Sequence, residues 1–191
     1  MELFKSNDAL ICLFSLGAVV RLISPHLKDK KTDPAVIVID DQAQFVISAL
    51  SGHLGGANQL TYDIAKQLGA TPVITTAADV NKTIAVDLVG KDLGWKIDDD
   101  LNVTKVSAFM VNAEKIGVYQ NCGAKNWWQG KIPENVSTYS SLNELKKSES
   151  KGYLIISDEQ IDDSKILENA VVYRPPSLVV GVGLHWDTTK D

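Results

Sequence analysis

The chain has 191 residues, of which 45% are hydrophobic, and a formal net charge of −5. This composition predicts a soluble folded protein, and the acidic balance argues against nucleic acid as a partner. No apolar run reaches the length of about 20 residues that a membrane helix needs, and Cys12 and Cys122 fit no disulfide or metal spacing, so we expect no membrane partner and a cytoplasmic location.

Strands and helices alternate through the first part of the chain. The hydrophobic pattern predicts strands at 9–14, 35–39, 44–47 and 72–75, and helices at 18–23 and 57–68. A polar turn after Asp40 favours a hairpin between the second and third strands. Gly69 stands where the C-terminal cap of the second helix belongs.

Predicted helices and strands also alternate through the second part of the chain. We predict a helix over 84–93 that Gly94 ends, a helix around 103–110, and strands at 115–119, 153–156 and 171–173. This alternation favours an α/β protein with a largely parallel sheet. We therefore expect a Rossmann-like layered domain at 1–80, a second small α/β domain at 81–174, and at 175–191 a linker with the start of a further domain.

The loop at 51–58 is the first candidate site, because His53 stands among three glycines just before a helix. Gly55 and Gly56 could expose backbone N–H groups at the positive end of the helix dipole, which suits a carboxylate or an oxyanion. His53 could accept a proton from water near neutral pH. The alternative is a tight loop whose glycines serve packing and whose histidine is hydrogen-bonded locally. The sequence leaves both interpretations open.

The charged run at 28–33 is the second candidate site. Lys28, Lys30 and Lys31 could hold the carboxylates of a substrate, and Arg21 on the preceding helix could add a bidentate contact. Asp33 precedes Pro34 at the start of a strand. Such runs are also common on solvated surfaces, where Arg21 would form only a surface ion pair.

Three further features have a functional and a structural interpretation. Thr75, Thr76 and Asp79 follow a predicted strand, where they could contribute to a site, although we expect Asp79 to cap the next helix. Trp127 and Trp128 could form a flat binding platform, but core packing or a domain interface is the expected role. His26 and His185 have no sequence partner that would make them ligands, so a structural role is expected for both.

Together these segments resemble the CbiG family, the cobalt-precorrin-5A hydrolases of anaerobic cobalamin biosynthesis. The matching segments are VVRLISPHLKDK (19–30), TDPAVIVID (32–40), SGHLGGAN (51–58), PVITTA (72–77), DVN (79–81), AVDL (85–88), LGW (93–95) and IGVYQ (116–120). The family pattern departs from this chain at 14–17, before residue 9, and after 180–184. We expect the first strand and helix of the family fold, and most of its C-terminal domain, to be absent here.

The resemblance implies a reaction and roles for individual residues. The family opens the δ-lactone of cobalt-precorrin-5A and releases acetaldehyde, which gives cobalt-precorrin-5B. The catalytic hypothesis takes His53 as general base and Lys28 with the N–H groups of Gly55 and Gly56 as oxyanion donors. Asp33 either orients His53 or assists proton transfer in the retro-aldol-like loss of acetaldehyde. The residues expected to bind substrate are Arg21, Lys30, Lys31, Gly55, Gly56, Asn58, Thr75 and Thr76.

The resemblance also implies what the protein binds. The partner is a cobalt-corrinoid small molecule that carries its own cobalt, so we expect no cofactor and no protein-held metal. Contacts with other cobalamin-pathway enzymes, or between two copies of the chain in a homodimer, are further expectations. The sequence leaves open whether the chain is active without the rest of the family's C-terminal domain. A non-catalytic corrinoid- or polycarboxylate-binding module of the same pathway is the alternative function.

Overall fold

The structure is a computed structural model that describes residues 2–162 and 164–177. Its strands are β1 (Ala9–Cys12), β2 (Ala35–Ile39), β3 (Phe45–Leu50), β4 (Thr71–Val73), β5 (Lys96–Ile97), β6 (Ile116–Gln120), β7 (Val136–Tyr139), β8 (Gly152–Ile156) and β9 (Ala170–Arg174). Its helices are α1 (Leu3–Ser6), α2 (Leu16–Ile23), α3 (Ala57–Leu68), α4 (Ala77–Val80), α5 (Val103–Val111), α6 (Leu142–Lys147) and α7 (Ser164–Leu167). The strands form two sheets, so the predicted α/β class is confirmed.

The first sheet has the strand order β1-β2-β3-β4. β1 is parallel to β2, and β3 is parallel to β4. β2 and β3 are antiparallel neighbours, as predicted for the hairpin after Asp40. Two of the three strand pairs are therefore parallel, and their connections contain α2 and α3.

Helices cover both faces of this sheet, and every residue of its strand β2 is therefore buried. Ile37 and Ile39 pack on one face with the α3 residues Ala57 and Ala65. Val36 and Val38 pack on the other face with the α2 residues Val19 and Ile23. A strand that is apolar on both sides is typical of a central strand in a three-layer α/β domain. The described layers match the Rossmann-like expectation.

The second sheet has the strand order β5-β9-β8-β6-β7. All its neighbours are parallel except the short edge pair of β5 and β9. Leu154 and Ile156 face a core that includes Val106 and Met110 of α5. Ile155 faces the opposite side, where it packs with Leu145 of α6. This sheet is therefore also covered on both faces.

The predicted helix over 84–93 is wrong. The structure instead has two single 3₁₀ turns, Val86–Leu88 and Lys91–Leu93. Gly90 and Gly94 adopt left-handed conformations with φ values of +69° and +72°, which interrupt an α-helix. A Cβ atom at Gly90 would also lie 2.1 Å from the Trp95 indole. The glycines therefore let the chain bend tightly around Trp95.

Several short elements were not predicted, namely α1, α4, α7, β5, β7 and α6. α6 does carry a sequence signal, because Ser141 accepts a hydrogen bond from the Glu144 N–H and the Glu144 side chain bonds back to Ser140. Serine followed three residues later by glutamate is a typical helix start. In the part of the chain that the structure describes, no helix is long and apolar enough to cross a membrane. Most of the segment expected at 175–191, with His185, lies outside the described residues.

Candidate functional site

The loop before α3 satisfies most of its own backbone groups. The Gly56 N–H donates to the His53 carbonyl at 3.0 Å, and the Ala57 and Asn58 N–H groups donate to the carbonyls of Ser51 and Gly52. The Gly56 N–H is therefore unavailable as an oxyanion donor in this conformation, and that part of the catalytic hypothesis is corrected.

The glycines of this loop serve close packing. A Cβ atom at Gly55 would lie 2.5 Å from the Ser51 Cβ, and one at Gly52 would lie 2.6 Å from the Asn58 Oδ1. Gly56 has a φ of +81°, a left-handed conformation that favours glycine. The packing interpretation of the glycines therefore describes their contacts better than the anion-binding one.

Asn58 lies at the start of α3 and is buried, with 5% of its surface exposed. Its Nδ2 donates to the Thr76 Oγ1 at 2.8 Å and to the Asp79 Oδ2 at 2.9 Å, and its Oδ1 accepts from the Ser48 hydroxyl at 2.7 Å. Buried amides need such partners. Asn58 thus fixes Asp79 and Thr76 relative to the His53 loop. These bonds engage both ends of its amide.

His53 is held between two carboxylates. Its Nδ1 lies 3.0 Å from the Asp87 Oδ1, and its Nε2 lies 2.9 Å from the Asp79 Oδ2. The three side chains are 14%, 21% and 31% exposed for His53, Asp87 and Asp79 respectively. Because an ionised carboxylate can only accept hydrogen bonds, both ring nitrogens must carry protons in this arrangement. His53 is therefore an imidazolium here.

The pKa values of two members of this cluster agree with the geometry. The hydrogen bond to Asp87 raises the pKa of His53 above its usual value, Asp79 adds to the increase, and partial burial opposes it. For Asp87, burial opposes ionisation, but the hydrogen bond and the charge of His53 outweigh it and lower the pKa. Lys30 contributes to the same decrease. The ionised forms of His53 and Asp87 therefore stabilise each other.

The two carboxylates come from different parts of the chain. Asp79 belongs to α4, which follows β4. Asp87 lies in the 3₁₀ turn Val86–Leu88, and the buried Tyr173 hydroxyl on β9 donates to the Val86 carbonyl at 2.7 Å. The expectation that Asp79 caps a helix is wrong, because its carboxylate accepts from His53 and Asn58 instead. The first sheet thus supplies His53, and the second sheet anchors the turn that carries Asp87.

A cavity of about 230 Å³ lies beside this cluster. His53, Asp87, Lys30 and Thr76 line it, together with Ser107 of α5. Lys30 of the charged run and His53 of the glycine loop line the same cavity, as the sequence hypothesis requires. The cavity therefore brings together a cation, an imidazolium and the carboxylate of Asp87, while Asp79 is bonded to His53 without lining the cavity.

The other predicted residues of the charged run lie elsewhere. Lys28 and Asp33 line a different cavity near α1, and the Asp33 Oδ2 accepts from the Lys28 N–H at 2.9 Å. Asp33 therefore does not orient His53, which is bonded to Asp79 and Asp87. Lys31 pairs with Asp100 at the surface, and it lines a third cavity together with Lys30.

Arg21 and Thr75 are exposed, and neither is among the residues that line the His53 cavity. The structure brings together His53, Lys30, Asn58 and Thr76 of the predicted set, with Gly55 and Gly56 in the supporting loop.

Asp87 is the site residue that the sequence analysis missed. It lies inside the matching segment 85–88, but the predicted helix over 84–93 did not indicate that its side chain would face His53. Asp79 was noticed and given the wrong role. No local pattern in the sequence identifies either carboxylate as a partner of His53, because the hydrogen bonds join residues that are 26 and 34 positions apart.

Neither the tryptophans nor His26 contact His53. Trp127 and Trp128 pack against the core of the second region. His26 lies in ring contact with Phe4. Among the described residues, no group of three or more His, Cys, Asp or Glu side chains has a geometry that could hold a metal ion.

Comparison with known proteins identifies the family. Residues 1–79 match the family model described as cobalamin synthesis G N-terminal, and residues 84–175 match the one described as cobalamin biosynthesis central region. A cobalt-precorrin-5A hydrolase of Priestia megaterium is 51% identical over an alignment of 192 positions, which covers 98% of this chain and 51% of that protein. A cobalt-precorrin-5A hydrolase of Salmonella typhimurium is 34% identical over an alignment of 193 positions, which covers 98% of this chain and 53% of that protein.

A solved structure is also similar. It is a crystal structure of a cobalamin biosynthesis protein G homolog from Sulfolobus solfataricus, with a TM-score of 0.51 and 24% identity over 90% of this chain and 47% of that one. At this identity the likeness shows the fold alone. The chain spans about half the length of the curated relatives it matches. The resemblance predicted from the sequence is confirmed, and the chain belongs to the CbiG family, of which it carries the N-terminal and central domains.

Proposed function

We propose that this chain provides the lactone-opening site of a cobalt-precorrin-5A hydrolase. The reaction opens the δ-lactone of cobalt-precorrin-5A and releases acetaldehyde, which gives cobalt-precorrin-5B in anaerobic cobalamin biosynthesis. The name of the 51% identical relative supports the reaction. The observation that carries the site is the imidazolium of His53 between Asp79 and Asp87, beside a cavity that Lys30 also lines.

His53 must first lose a proton to act as a base. Asp79 accepts the hydrogen bond from Nε2, so it is the acceptor for that proton. Neutral Nε2 then takes a proton from the attacking water while the hydroxide adds to the lactone carbonyl carbon. Asp87 keeps its hydrogen bond with Nδ1 and stabilises the imidazolium that forms again, in the manner of the carboxylate in a Ser-His-Asp triad.

Lys30 in this cavity and Asp79 beside His53 balance the remaining charges. Lys30 stabilises the oxyanion of the tetrahedral intermediate, and it replaces Lys28, Gly55 and Gly56 of the catalytic hypothesis. When the acyl–oxygen bond breaks, protonated Asp79 returns its proton to the alkoxide. Asp79, which is then a carboxylate again, takes back that proton from the alcohol as the carbon–carbon bond breaks and acetaldehyde leaves, and the macrocycle takes up the electron pair. We propose that cobalt arrives with the substrate and that the protein adds no cofactor.

Acetaldehyde release by purified protein tests this proposal. His53→Gln and Asp87→Asn are each expected to reduce kcat at least about 100-fold, because a positioned base and the group that orients it are each lost. His26→Gln provides a matched control, since His26 contacts Phe4 outside the site. Near-normal turnover by His53→Gln would remove the imidazole from the mechanism.

The second candidate is a corrinoid-binding module without catalysis. The observation that favours it is that both ring nitrogens of His53 are already hydrogen-bonded, as in a structural cross-link. Such a module would bind a corrinoid and release no acetaldehyde, and His53→Gln would lower stability without changing a reaction rate. Parallel measurement of binding and acetaldehyde release separates the two functions.

A further inference from the structure

A second cavity, of about 550 Å³, is lined by Asp79, whose carboxylate is hydrogen-bonded to His53. We call it the tryptophan cavity, because Trp127 and Trp128 form part of its lining with Leu88 and Val89. It shares Ala78, Ile84 and Ala85 with the lining of the His53 cavity. The two cavities are therefore adjacent.

Both indoles are held in fixed positions. The Trp127 Nε1 donates to the Gln120 Oε1 at 3.0 Å, and the Trp128 Nε1 donates to the Lys131 carbonyl at 3.2 Å. Gly130 packs so closely that a Cβ there would lie 3.1 Å from the Trp128 ring. With their N–H groups satisfied, the rings offer apolar surface, which suits a flat apolar ligand.

Two cations border this apolar space. Lys82 and Lys131 line the cavity. Lys131 is fully at the surface, and its nearest acidic partner is Glu134 at a loose 3.9 Å. Asp79 also lines the cavity, but its charge is directed to the His53 imidazolium and the Asn58 amide. The balance of charge at the cavity is therefore favourable for carboxylates.

We infer that the tryptophan cavity binds one edge of a carboxylate-bearing corrinoid ring. This inference rests on the proposed function and extends it to the substrate-binding surface. The indoles and aliphatic side chains contact the ring edge, and Lys82 and Lys131 pair with carboxylates at its periphery. Drug-sized ligands occupy cavities of about 300–1,000 Å³, so a space of about 550 Å³ accepts part of a macrocycle and leaves the rest outside.

The position of the cavity connects binding to the reaction. A ring edge seated against Trp128 would place neighbouring ring substituents near Asp79, which lines the tryptophan cavity and is hydrogen-bonded to His53 of the other cavity. The cation of the charged run, Lys30, lines only the His53 cavity of the two. Lys82 and Lys131 thus bind the periphery, and Lys30 acts at the reacting lactone.

The experiment measures binding without turnover. Equilibrium dialysis with cobyrinic acid, a stable corrinoid with free carboxylates, gives Kd from the absorbance of the ring. Lys82→Gln and Lys131→Gln are each expected to raise Kd about two- to fivefold, and the double variant about five- to twentyfold, since each removes one exposed ion pair. Added salt should raise the wild-type Kd and have less effect on the double variant.

Two controls separate charge from apolar contact. The heptamethyl ester of the same corrinoid has no carboxylates, so its Kd should be unchanged by both lysine substitutions and raised by Trp128→Leu. Lys66→Gln, an exposed lysine of α3, should leave the Kd of cobyrinic acid unchanged. Thermal unfolding of Trp128→Leu shows whether its effect reflects a loss of folded protein.

The outcome distinguishes this inference from the proposed function. Wild-type Kd in the Lys82/Lys131 double variant would overturn the inference, as would a loss of affinity confined to Lys30→Gln. Lysine-dependent binding without acetaldehyde release would support the cavity and contradict the catalytic proposal. Acetaldehyde release with lysine-independent binding would do the reverse.

Discussion

The Nδ1 atom of His53 lies 3.0 Å from the Oδ1 atom of Asp87, although 34 positions separate the two residues in the chain. They also belong to regions that match two different family models. The hydrogen bond therefore joins the N-terminal and central domains at the candidate site. Its strength can be measured through either residue.

Asp87→Asn should lower the pKa of His53, because it removes the hydrogen-bonded charge that raises this pKa most. The amide keeps the size of the side chain and loses only its charge. We also expect a loss of about 2 kcal/mol in the free energy of unfolding, typical of a hydrogen bond to a charged group. NMR titration of the imidazole signals, assigned with His53→Gln, measures the pKa. Asp92→Asn, at an exposed position in the next 3₁₀ turn, is the control.

The pH dependence of stability follows from the same two groups. The raised pKa of His53 contributes stability that is complete below its ordinary value of 6.5 and is lost as the pH rises through the raised value. The lowered pKa of Asp87 contributes stability above its ordinary value of 3.8, which is lost as the pH falls through the lowered value.

Wild-type protein should therefore be most stable, relative to His53→Gln, between these ordinary values. Urea unfolding from pH 5 to pH 9 should show the wild-type advantage decreasing toward the alkaline end. A constant difference across that range would contradict an imidazolium at position 53.

Gly52→Ala should disturb the cluster indirectly. The new Cβ would lie 2.6 Å from the Asn58 Oδ1, and Asn58 holds Asp79. We expect a loss of about 1–3 kcal/mol in the free energy of unfolding from this overpacking, together with a change in the His53 pKa. Gly17→Ala is the matched control, because nothing lies within 4 Å of its Cβ position. It should stabilise α2 by about 0.5–1 kcal/mol.

The ion pair of Lys31 and Asp100 should contribute little to stability, in contrast to the His53 cluster. Both side chains are about half exposed, at 52% and 51%. Exposed pairs of this kind contribute about 0–1 kcal/mol. A double-mutant cycle with Lys31→Gln and Asp100→Asn measures their coupling, and high salt should reduce it further. A coupling as large as that of His53 with Asp87 would contradict the expectation.

Much of the first domain could be predicted from the sequence. The helix at 57–68 has a clear apolar period and a glycine cap, and Gly69 indeed has a left-handed φ of +67°. The hairpin after Asp40 follows from turn residues between two apolar runs. These features are local, so the sequence signal and the structure agree.

The prediction of a helix over 84–93 was wrong because tertiary contacts determine the backbone there. Its apolar residues do pack in the core, as Ile84 and Val89 show, but two left-handed glycines and the Trp95 ring determine the backbone. The partners of His53 could not be predicted for a related reason. Its hydrogen bond to Asp79 spans 26 positions within the first region, and its bond to Asp87 spans 34 positions and joins the two regions. A single sequence carries no local pattern for either contact.

The hydrogen bond from the Tyr173 hydroxyl to the Val86 carbonyl affects when the site forms during folding. Tyr173 comes from the last described strand and is completely enclosed, so the turn with Asp87 is secured only after that strand has joined its sheet. A chain cut before Tyr173 would lack this anchor of the turn that carries Asp87. During synthesis the turn is therefore anchored late, when nearly all of both domains has been made.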